Sequence, residues 1–350
     1  MQSEGVGTYS VVEGTRKATI MTHWHSDSSN IIEINSQRQI YSLVFVEDGK
    51  QIISGSAEGF LRRWQIDDGH EVGEAIPVEG GGEIFAVALS PNRKWLICGV
   101  RFSSGNNKTG RVGVWNAQTR EKALDVHHHT NTVLSVDISP DSMKFATGGY
   151  DKVVLIWGMV TGEKLVGPLQ HEGIVVAVRF SPNGGRIATA THKNPGAESI
   201  RIYNSDDGQQ LLDIPFSVQT CPLSPLAWTA DGRQLFAVSF SEIKCFDMSS
   251  GSLLSKWSIN NAGYPASIAL ARNQKFIVVS AYDSLSFWDT STHQQLGTVI
   301  QLAGMVWSLA LSPNDDCIAT GGENGKITLR SLRNILPGSY FTVNVSGYTW

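Results

Sequence analysis

A unit of about 44 residues recurs seven times along this chain, and no other feature limits its possible folds so strongly. Each unit holds two short apolar runs separated by a turn, followed by a third run that ends on a large residue. The third runs are FLRRW (60–64), RVGVW (111–115), VVLIW (153–157), SIRIY (199–203), EIKCF (242–246), SLSFW (284–288) and KITLR (326–330). Such a chain folds as an array of similar units rather than around one irregular core.

The runs themselves indicate strands. They alternate in polarity and are rich in β-branched residues, as in VLSVDI (133–138) and KFATGG (144–149), which predicts short strands that bury one face. Turn sequences such as SPD (139–141) separate the first two runs, because proline and aspartate suit tight turns. No stretch has sustained helical periodicity. We therefore predict an all-β chain whose units close into a ring, since an open array leaves sheet edges unpaired.

The third unit, HTNTVLSVDISPDSMKFATGGYDKVVLIW (129–157), resembles the WD-repeat family. The resemblance spans about residues 36–331 and implies a single seven-bladed β-propeller of four-stranded antiparallel blades. It also implies a buried hydrogen-bonded network of a histidine, a hydroxyl residue, an aspartate and a tryptophan within one blade. The matching positions are His129, Thr147, Asp151 and Trp157. Other units depart from the family pattern, with Tyr203, Phe246 and Arg330 where the family has tryptophan.

The positions of the repeats divide the chain into three parts. They are an N-terminal tail (1–28), the propeller (29–331) and a C-terminal extension (332–350). Two segments could supply the outer strand that closes the ring, NIIEI (30–34) and YFTVNV (340–345). We favour closure by the N-terminal segment, because the C-terminal one follows Pro337 and Gly338 and comes late for an outer strand.

Composition excludes several classes of function. The chain has 28 basic and 32 acidic residues, so no strong positive field exists to attract nucleic acid. No apolar stretch is long enough to span a membrane, and no signal peptide opens the chain. The four cysteines lie far apart without a CxxC pair, which fits a reducing compartment. We expect a cytoplasmic protein, with a nuclear location left open, that binds neither nucleic acid nor membranes.

No catalytic motif stands out in the sequence. Three consecutive histidines, 127–129, cannot all face one metal ion, because side chains alternate sides on an extended chain. The predicted inner strands are mostly small and apolar, with Asp137 and Arg179 as exceptions at matching positions of neighbouring blades. We therefore expect no enzyme, metal or cofactor, and predict a protein-interaction scaffold that is monomeric alone and presents one rim to a protein or peptide. The alternatives are a propeller that binds a small ligand or glycan, and a metal-dependent hydrolase.

Two blades are longer than the others, and both insertions fall between the second and third runs. They are RFSSGNNKTG (101–110) and THKNPGAES (191–199), and they are expected on the same rim as the link HHHTNT (127–132). Loops on a rigid scaffold often carry binding sites, although neutral drift in loop length explains the insertions equally well. The candidate partner-binding residues are Arg101, Phe102, His127, His128, Tyr150, His192 and Lys193.

Overall fold

The chain forms seven four-stranded antiparallel sheets, which confirms the predicted fold class. The computed structural model describes residues 31–36, 38–46, 48–104, 107–192, 199–216, 225–239, 241–259 and 266–341. Within these ranges the only helices are two single turns of 3₁₀ type. None of the described helices has the length and apolar character needed to cross a bilayer.

The strands follow the repeats of the sequence, and each blade runs from an innermost strand near the axis to an outermost strand at the edge. The chain begins with β1 (Ile31–Asn35). Blade 1 contains β2 (Ile40–Phe45), β3 (Gln51–Ser56), β4 (Phe60–Gln65) and β5 (Ile76–Pro77). Blade 2 contains β6 (Glu83–Leu89), β7 (Trp95–Ser104), β8 (Asn107–Asn116) and β9 (Lys122–His129). Blade 3 contains β10 (Val133–Ile138), β11 (Lys144–Gly149), β12 (Val153–Gly158) and β13 (Lys164–Gln170).

The remaining blades repeat this order. Blade 4 contains β14 (Ile174–Phe180), β15 (Arg186–His192), β16 (Ser199–Asn204) and β17 (Gln210–Pro215). Blade 5 contains β18 (Leu226–Trp228), β19 (Gln234–Val238), β20 (Glu242–Asp247) and β21 (Leu253–Ser258). Blade 6 contains β22 (Ala266–Leu270), β23 (Phe276–Ala281), β24 (Ser284–Asp289) and β25 (Gln295–Gln301). Blade 7 contains β26 (Val306–Leu311), β27 (Cys317–Gly322), β28 (Lys326–Ser331) and the N-terminal strand β1.

Pairing of the two ends of the chain closes the ring. Strand β1 runs antiparallel to β28, with Ile32 opposite Leu329. Ile34 is buried against Leu329 and against Ile40 of blade 1, and Lys326 donates to Glu33 at 2.8 Å. The inner strands of blades 7 and 1 then contact each other as the other neighbouring pairs do. Closure by the N-terminal strand is thus confirmed, while residues 342–345 of the rival segment lie outside the described residues.

Small residues in the second strands let neighbouring blades approach closely. A methyl group at Gly55 would lie only 2.5 Å from Ile84 Cγ2 of the next blade. A methyl group at Gly148 would likewise lie 2.5 Å from Val175 Cγ1. These contacts explain why the second run of each sequence repeat ends in small residues, because a larger side chain there would separate the blades.

Strand direction gives the disc two unlike rims. The links between blades, such as residues 130–132, share one face with the turns from second to third strand, such as residues 150–152. We call this face the upper rim. The opposite face, the lower rim, carries the turns from first to second strand and from third to fourth strand, such as 139–143 and 159–163.

A C-terminal segment, residues 332–341, packs below blades 6 and 7, and we call it the strap. Elsewhere a third-to-fourth turn covers the preceding outer strand, as Gly162 covers Leu124 and Gly208 covers Val166. Blade 7 has no such turn, because its outer strand comes from the other end of the chain. The strap contains the 3₁₀ turns Leu332–Asn334 and Gly338–Tyr340 and packs onto the Leu296 side of blade 6, which fills this place.

We expect Leu332→Ala to lower the free energy of unfolding by about 2–5 kcal/mol, the usual cost of emptying a buried leucine site. Leu332 is fully buried among blades 6 and 7, and its backbone N–H donates to Asp316 O at 2.7 Å. The matched control is Leu253→Ala, since Leu253 is 47% exposed. Urea unfolding of both variants measures the difference, and equal losses would contradict a structural role for the strap.

Candidate functional site

Four side chains of the predicted network form one hydrogen-bonded series. The Trp157 indole donates to Thr147 Oγ1 at 3.0 Å, and Thr147 Oγ1 lies 2.7 Å from His129 Nε2. His129 Nδ1 lies 2.8 Å from Asp151 Oδ2, which also accepts from the Thr130 backbone N–H at 3.1 Å. Because the carboxylate only accepts, Nδ1 carries the proton, and in the neutral ring Nε2 accepts from the threonine hydroxyl. Trp157 and Thr147 are fully buried, so the series satisfies groups that water cannot reach.

This network joins two blades, whereas the prediction placed it within one. His129 ends β9, the outer strand of blade 2, and its three partners belong to blade 3. The difference arises because a sequence repeat begins with the outer strand of one blade and continues into the inner strands of the next. The network therefore fastens neighbouring sheets, as the turn contacts of the lower rim also do.

A second histidine repeats the arrangement one blade further on. His171 follows β13 of blade 3, and its Nε2 lies 3.0 Å from Thr189 Oγ1 of blade 4. Nδ1 lies 3.0 Å from the Leu169 carbonyl, so this nitrogen carries the proton, and Tyr203 Oη approaches Nε2 at 3.3 Å. Among the described residues, no carboxylate lies within hydrogen-bonding distance of the ring. Burial lowers the pKa of His171 from 6.5 to about 4, so the imidazole is neutral at physiological pH.

Arg101 and Phe102, two of the predicted partner-binding residues, lie on the upper rim of blade 2. The Arg101 guanidinium pairs with Glu83 and lies 5.0 Å from the centre of the Phe85 ring. The Phe102 ring is half-buried and has the Arg111 guanidinium 4.7 Å from its centre. Both strands of this hairpin continue through the predicted loop, to Ser104 and from Asn107, so the insertion is an extended β-hairpin that projects from the rim.

The histidines of the predicted link belong to a strand instead. His127 and His128 lie within β9, so only residues 130–132 form the link between blades 2 and 3. The His127 side chain is 47% exposed and lies 3.3 Å from Asp125, whereas the His128 ring lies 5.2 Å from that of Trp157. The prediction missed this because exposed outer strands lack the apolar alternation that identifies inner strands.

The remaining predicted rim residues are only partly described. Tyr150 lies in the second-to-third turn of blade 3 and is 40% exposed. His192 is half-buried at the end of β15, opposite Ile174. Lys193 lies outside the described residues. The structure thus places Phe102, Tyr150 and His192 at the upper rims of blades 2, 3 and 4, as the sequence predicts for their chain positions.

An aromatic cluster at the start of three inner strands was missed by the sequence analysis. Tyr41 stacks on Phe85 with ring centres 4.4 Å apart, and the Trp307 ring meets Tyr41 edge-on at 5.9 Å. These residues belong to blades 1, 2 and 7, which are neighbours in the ring. All three rings are half-buried at the upper end of the axis. We call Tyr41, Phe85 and Trp307 the aromatic cluster.

β-Bulges in the inner strands place the aromatic cluster at the upper end of the axis. The pairing of the first and second strands skips Tyr41, Phe85 and Trp307, each of which is an extra residue in its inner strand. Leu134 and Val176 are skipped in the same way in blades 3 and 4. A bulge turns a side chain away from the alternation of the strand. In the sequence, each of these residues comes directly before a small Ser or Ala of an inner strand. The alternation of polar and apolar residues does not show to which side such a side chain points.

The described residues offer little for catalysis. They contain no group of three or more His, Cys, Asp or Glu side chains that could hold a metal ion. Burial raises the pKa of the Cys245 thiol to about 11 and that of Cys317 to about 12, and it also raises the pKa of Cys98. These thiols are therefore protonated at neutral pH and are poor nucleophiles.

Two segments of the chain, residues 121–158 and 296–330, match the family model described as "WD domain, G-beta repeat". The first segment contains the His129 network, and the second runs from β25 into β28. The match therefore falls on the blade with the fullest sequence pattern and on the blade that closes the ring.

Two curated relatives are similar over part of the chain. Apoptotic protease-activating factor 1 of Rattus norvegicus is 27% identical over 227 residues, which cover 65% of this chain and 16% of the relative. Protein groucho of Drosophila melanogaster is 28% identical over 115 residues, which cover 33% of this chain and 15% of the relative. The chain spans only a small part of the length of either relative.

Acid should weaken the fold through His171. Above pH 6.5 the histidine is neutral in both states, but between pH 6.5 and about 4 only the unfolded chain binds the proton. The free energy of unfolding therefore falls as the pH drops through this window, by up to roughly 3 kcal/mol. We expect His171→Gln to remove about 1.4 kcal/mol per pH unit from the slope between pH 6 and 5. Urea unfolding across this range measures both slopes, and equal slopes would contradict a buried neutral His171.

Proposed function

We propose that this seven-bladed propeller, two segments of which match the WD-domain family model, is a non-enzymatic interaction scaffold that presents its upper rim to a protein or peptide partner. The ring is rigid because each blade is hydrogen-bonded internally and packed between two neighbours. A rigid disc holds its rim residues in place before binding, which lowers the entropic cost of association.

The distribution of exposed large side chains carries this proposal. Tyr150 and Tyr282, which are 40% and 44% exposed, both lie in second-to-third turns on the upper rim. Met143 and Val160, which are 60% and 66% exposed, lie in turns of the lower rim. Tyrosine, tryptophan and arginine dominate binding hot spots, whereas valine and leucine are under-represented there. The upper rim therefore has the more suitable chemistry for a specific partner.

Neighbouring groups add to this chemistry. The Phe102 hairpin projects from the same rim in blade 2, and Arg111 lies over its ring. His127 exposes about half of its side chain at the outer edge nearby. Aromatic and basic side chains of this kind combine a large apolar contact with hydrogen-bond donors. The sector formed by blades 2 and 3 is therefore our proposed contact surface.

Three further observations support a binding role. The buried thiols are poorly reactive, and the described residues bring together no group of metal ligands. The name of the rat relative states that it activates a protease, which is itself a protein partner. From this relative we infer only the class of partner for this chain, which is a protein or peptide. We further propose that the protein acts as a monomer in the cytoplasm, with the nucleus as the alternative location.

The combined variant Phe102→Ala, His128→Ala and Tyr150→Ala tests the contact surface. A peptide selected by display against the immobilised protein, or a partner found by proximity labelling, supplies the ligand. We expect its dissociation constant to rise at least about tenfold, because hot-spot truncations of this kind cost about 2 kcal/mol or more. Isothermal titration calorimetry measures the change, and an unchanged melting temperature shows that the fold is intact.

The matched control carries three alanines away from the upper rim. Met143, Val160 and Leu253 are 60%, 66% and 47% exposed, so their replacement removes three exposed apolar side chains. We expect this control to bind the same ligand with unchanged affinity. If the control loses binding while the upper-rim variant retains it, the partner contacts the lower rim or outer edge and the proposal is wrong.

A further inference from the structure

The most exposed large apolar side chains among the described residues lie together on the lower rim of blade 3. Val160 is 66% exposed and Met143 is 60% exposed. They belong to the two lower turns of this blade, and the Met159 backbone N–H donates to the Met143 carbonyl oxygen at 2.8 Å. This hydrogen bond holds the two turns side by side, so the exposed side chains are neighbours.

Leu165 extends this surface toward the outer edge of blade 3. It is 49% exposed and lies at the start of β13, directly after the turn that contains Val160. A methyl group at Gly158 would lie 3.9 Å from Leu165 Cδ1, so this side chain lies beside the strand end from which the turn leaves. Three exposed apolar side chains thus follow one another across the lower end of the blade.

Trp95 continues the surface into blade 2. Its half-buried ring packs against the core cluster shared by blades 2 and 3. The Asn92 backbone N–H donates to Ser142 Oγ at 3.2 Å, so the turn before Trp95 adjoins the turn that contains Met143. We call Trp95, Met143, Val160 and Leu165 the lower-rim patch. A contiguous patch of this kind, unlike a single exposed apolar residue, marks an interaction site.

Basic side chains surround the lower-rim patch. The lower turns of blades 2 and 3, with the residues that flank them, hold five basic and three acidic residues, although acidic residues outnumber basic ones in the whole chain. These segments are 90–94, 117–121, 139–144 and 159–164. The third-to-fourth turns on either side, 66–75 of blade 1 and 205–209 of blade 4, hold four and two acidic residues and no lysine or arginine. The patch therefore lies in a basic sector between two acidic turns.

The charged groups next to the patch differ in how they are engaged. The exposed Lys94 has its ammonium 4.9 Å from the centre of the Trp95 ring, so it stands on the patch itself. Asp141, by contrast, is held within its turn, where it accepts from Ser139 Oγ at 2.6 Å and from the Met143 backbone N–H at 2.9 Å. A partner therefore meets a positive charge beside Trp95, whereas this carboxylate is already hydrogen-bonded.

We propose that the lower-rim patch binds a segment of a partner protein that carries both apolar and acidic side chains. The apolar side chains pack on Met143 and Val160, and a carboxylate pairs with Lys94. Methionine is flexible and polarisable, so it adapts to the shape of such a segment. The acidic turns of blades 1 and 4 repel the segment on either side, which confines it to blades 2 and 3. This contact lies on the opposite face from the upper-rim contact surface and does not depend on it, so one disc can hold two partners.

Short peptides test the chemistry of the partner against the whole protein. The probe is a fluorescein-labelled peptide of two Glu-Glu-Leu-Leu repeats, and fluorescence anisotropy measures its binding. We expect saturable binding that weakens as salt is added, because salt screens exposed charges. The matching Lys-Lys-Leu-Leu and Glu-Glu-Ser-Ser peptides should bind at least about tenfold more weakly, since the first lacks the complementary charge and the second lacks the apolar contact.

A pair of serine substitutions tests the apolar part of the contact. Met143→Ser with Val160→Ser should raise the dissociation constant of the Glu-Glu-Leu-Leu peptide at least about tenfold, because its leucines lose their contacts. The matched control is Leu253→Ser with Leu254→Ser, since these leucines are 47% and 50% exposed on the outer strand of blade 5. The control should leave the affinity unchanged, and equal melting temperatures show that both variants fold.

Lysine variants test the charge in the same assay. Lys94→Gln should weaken binding and reduce its salt dependence, whereas Lys256→Gln, at a side chain that is 59% exposed on blade 5, should do neither. Absence of saturable binding, equal binding of the Lys-Lys-Leu-Leu peptide, or equal losses in the patch and control variants would each overturn the proposal. Loss of peptide binding only in the upper-rim triple variant would overturn it too, because the peptide would then contact the other face. The upper-rim proposal is tested with its own ligand and would be unaffected by a failure here.

Discussion

The pairing of β1 with β28 is the interaction on which the rest of this structure depends. Six of the seven sheets are built from consecutive strands, but blade 7 takes its outer strand from the start of the chain. Without that strand β28 would expose an unpaired edge, and Ile34 would no longer pack against Ile40 of blade 1. Because every blade is held between two others, loss of this one pairing loosens the whole ring.

Closure also lets the smaller contacts between blades stabilise the whole ring. The His129 and His171 networks, the inner-strand serines and the turns of the lower rim each join one blade to the next. These contacts hold every blade on both sides only if the ring is closed. The strap joins blades 6 and 7 in the same way. Blade 7 has no turn from its third to its fourth strand, because β1 supplies its outer strand, and the strap fills this place. The upper rim is therefore held in one arrangement, which the proposed binding role requires.

The sequence predicts the features that depend on the repeat itself. The alternating runs locate the inner strands, and the large residues from Trp64 to Trp288 locate the third strands, because burial on both faces selects apolar side chains at fixed spacing. The N-terminal strand could be chosen because the rival segment follows Pro337 and Gly338 and comes late for an outer strand. The outer strands are harder to recognise in the sequence, because their exposed positions accept any polar residue. For this reason His127 and His128 were assigned to a link.

The aromatic cluster and the strap could not be predicted from the pattern. A bulge reverses the side to which Tyr41 or Trp307 points, and the alternation of polar and apolar residues along a strand does not reveal a bulge. Whether a serine hydroxyl finds a partner depends on the neighbouring blade, hundreds of residues away in the case of Ser308 and Leu43. Leu332 and Leu336 belong to a segment of two short turns, which is too short for a sustained periodicity, so the sequence does not show that these side chains are buried.

A disulfide across the seam tests ring closure most directly. Glu33 and Thr328 stand opposite each other in the β1–β28 pair, whereas Glu33 and Arg330 are displaced by two positions. Closure by β1 predicts that Glu33→Cys with Thr328→Cys forms a disulfide readily under mild oxidation and raises the melting temperature. Glu33→Cys with Arg330→Cys should retain its free thiols, because directly opposed residues lie within disulfide reach and diagonal ones do not. Free thiols in the first pair, or equal cross-linking of both pairs, would contradict closure of the ring by this strand.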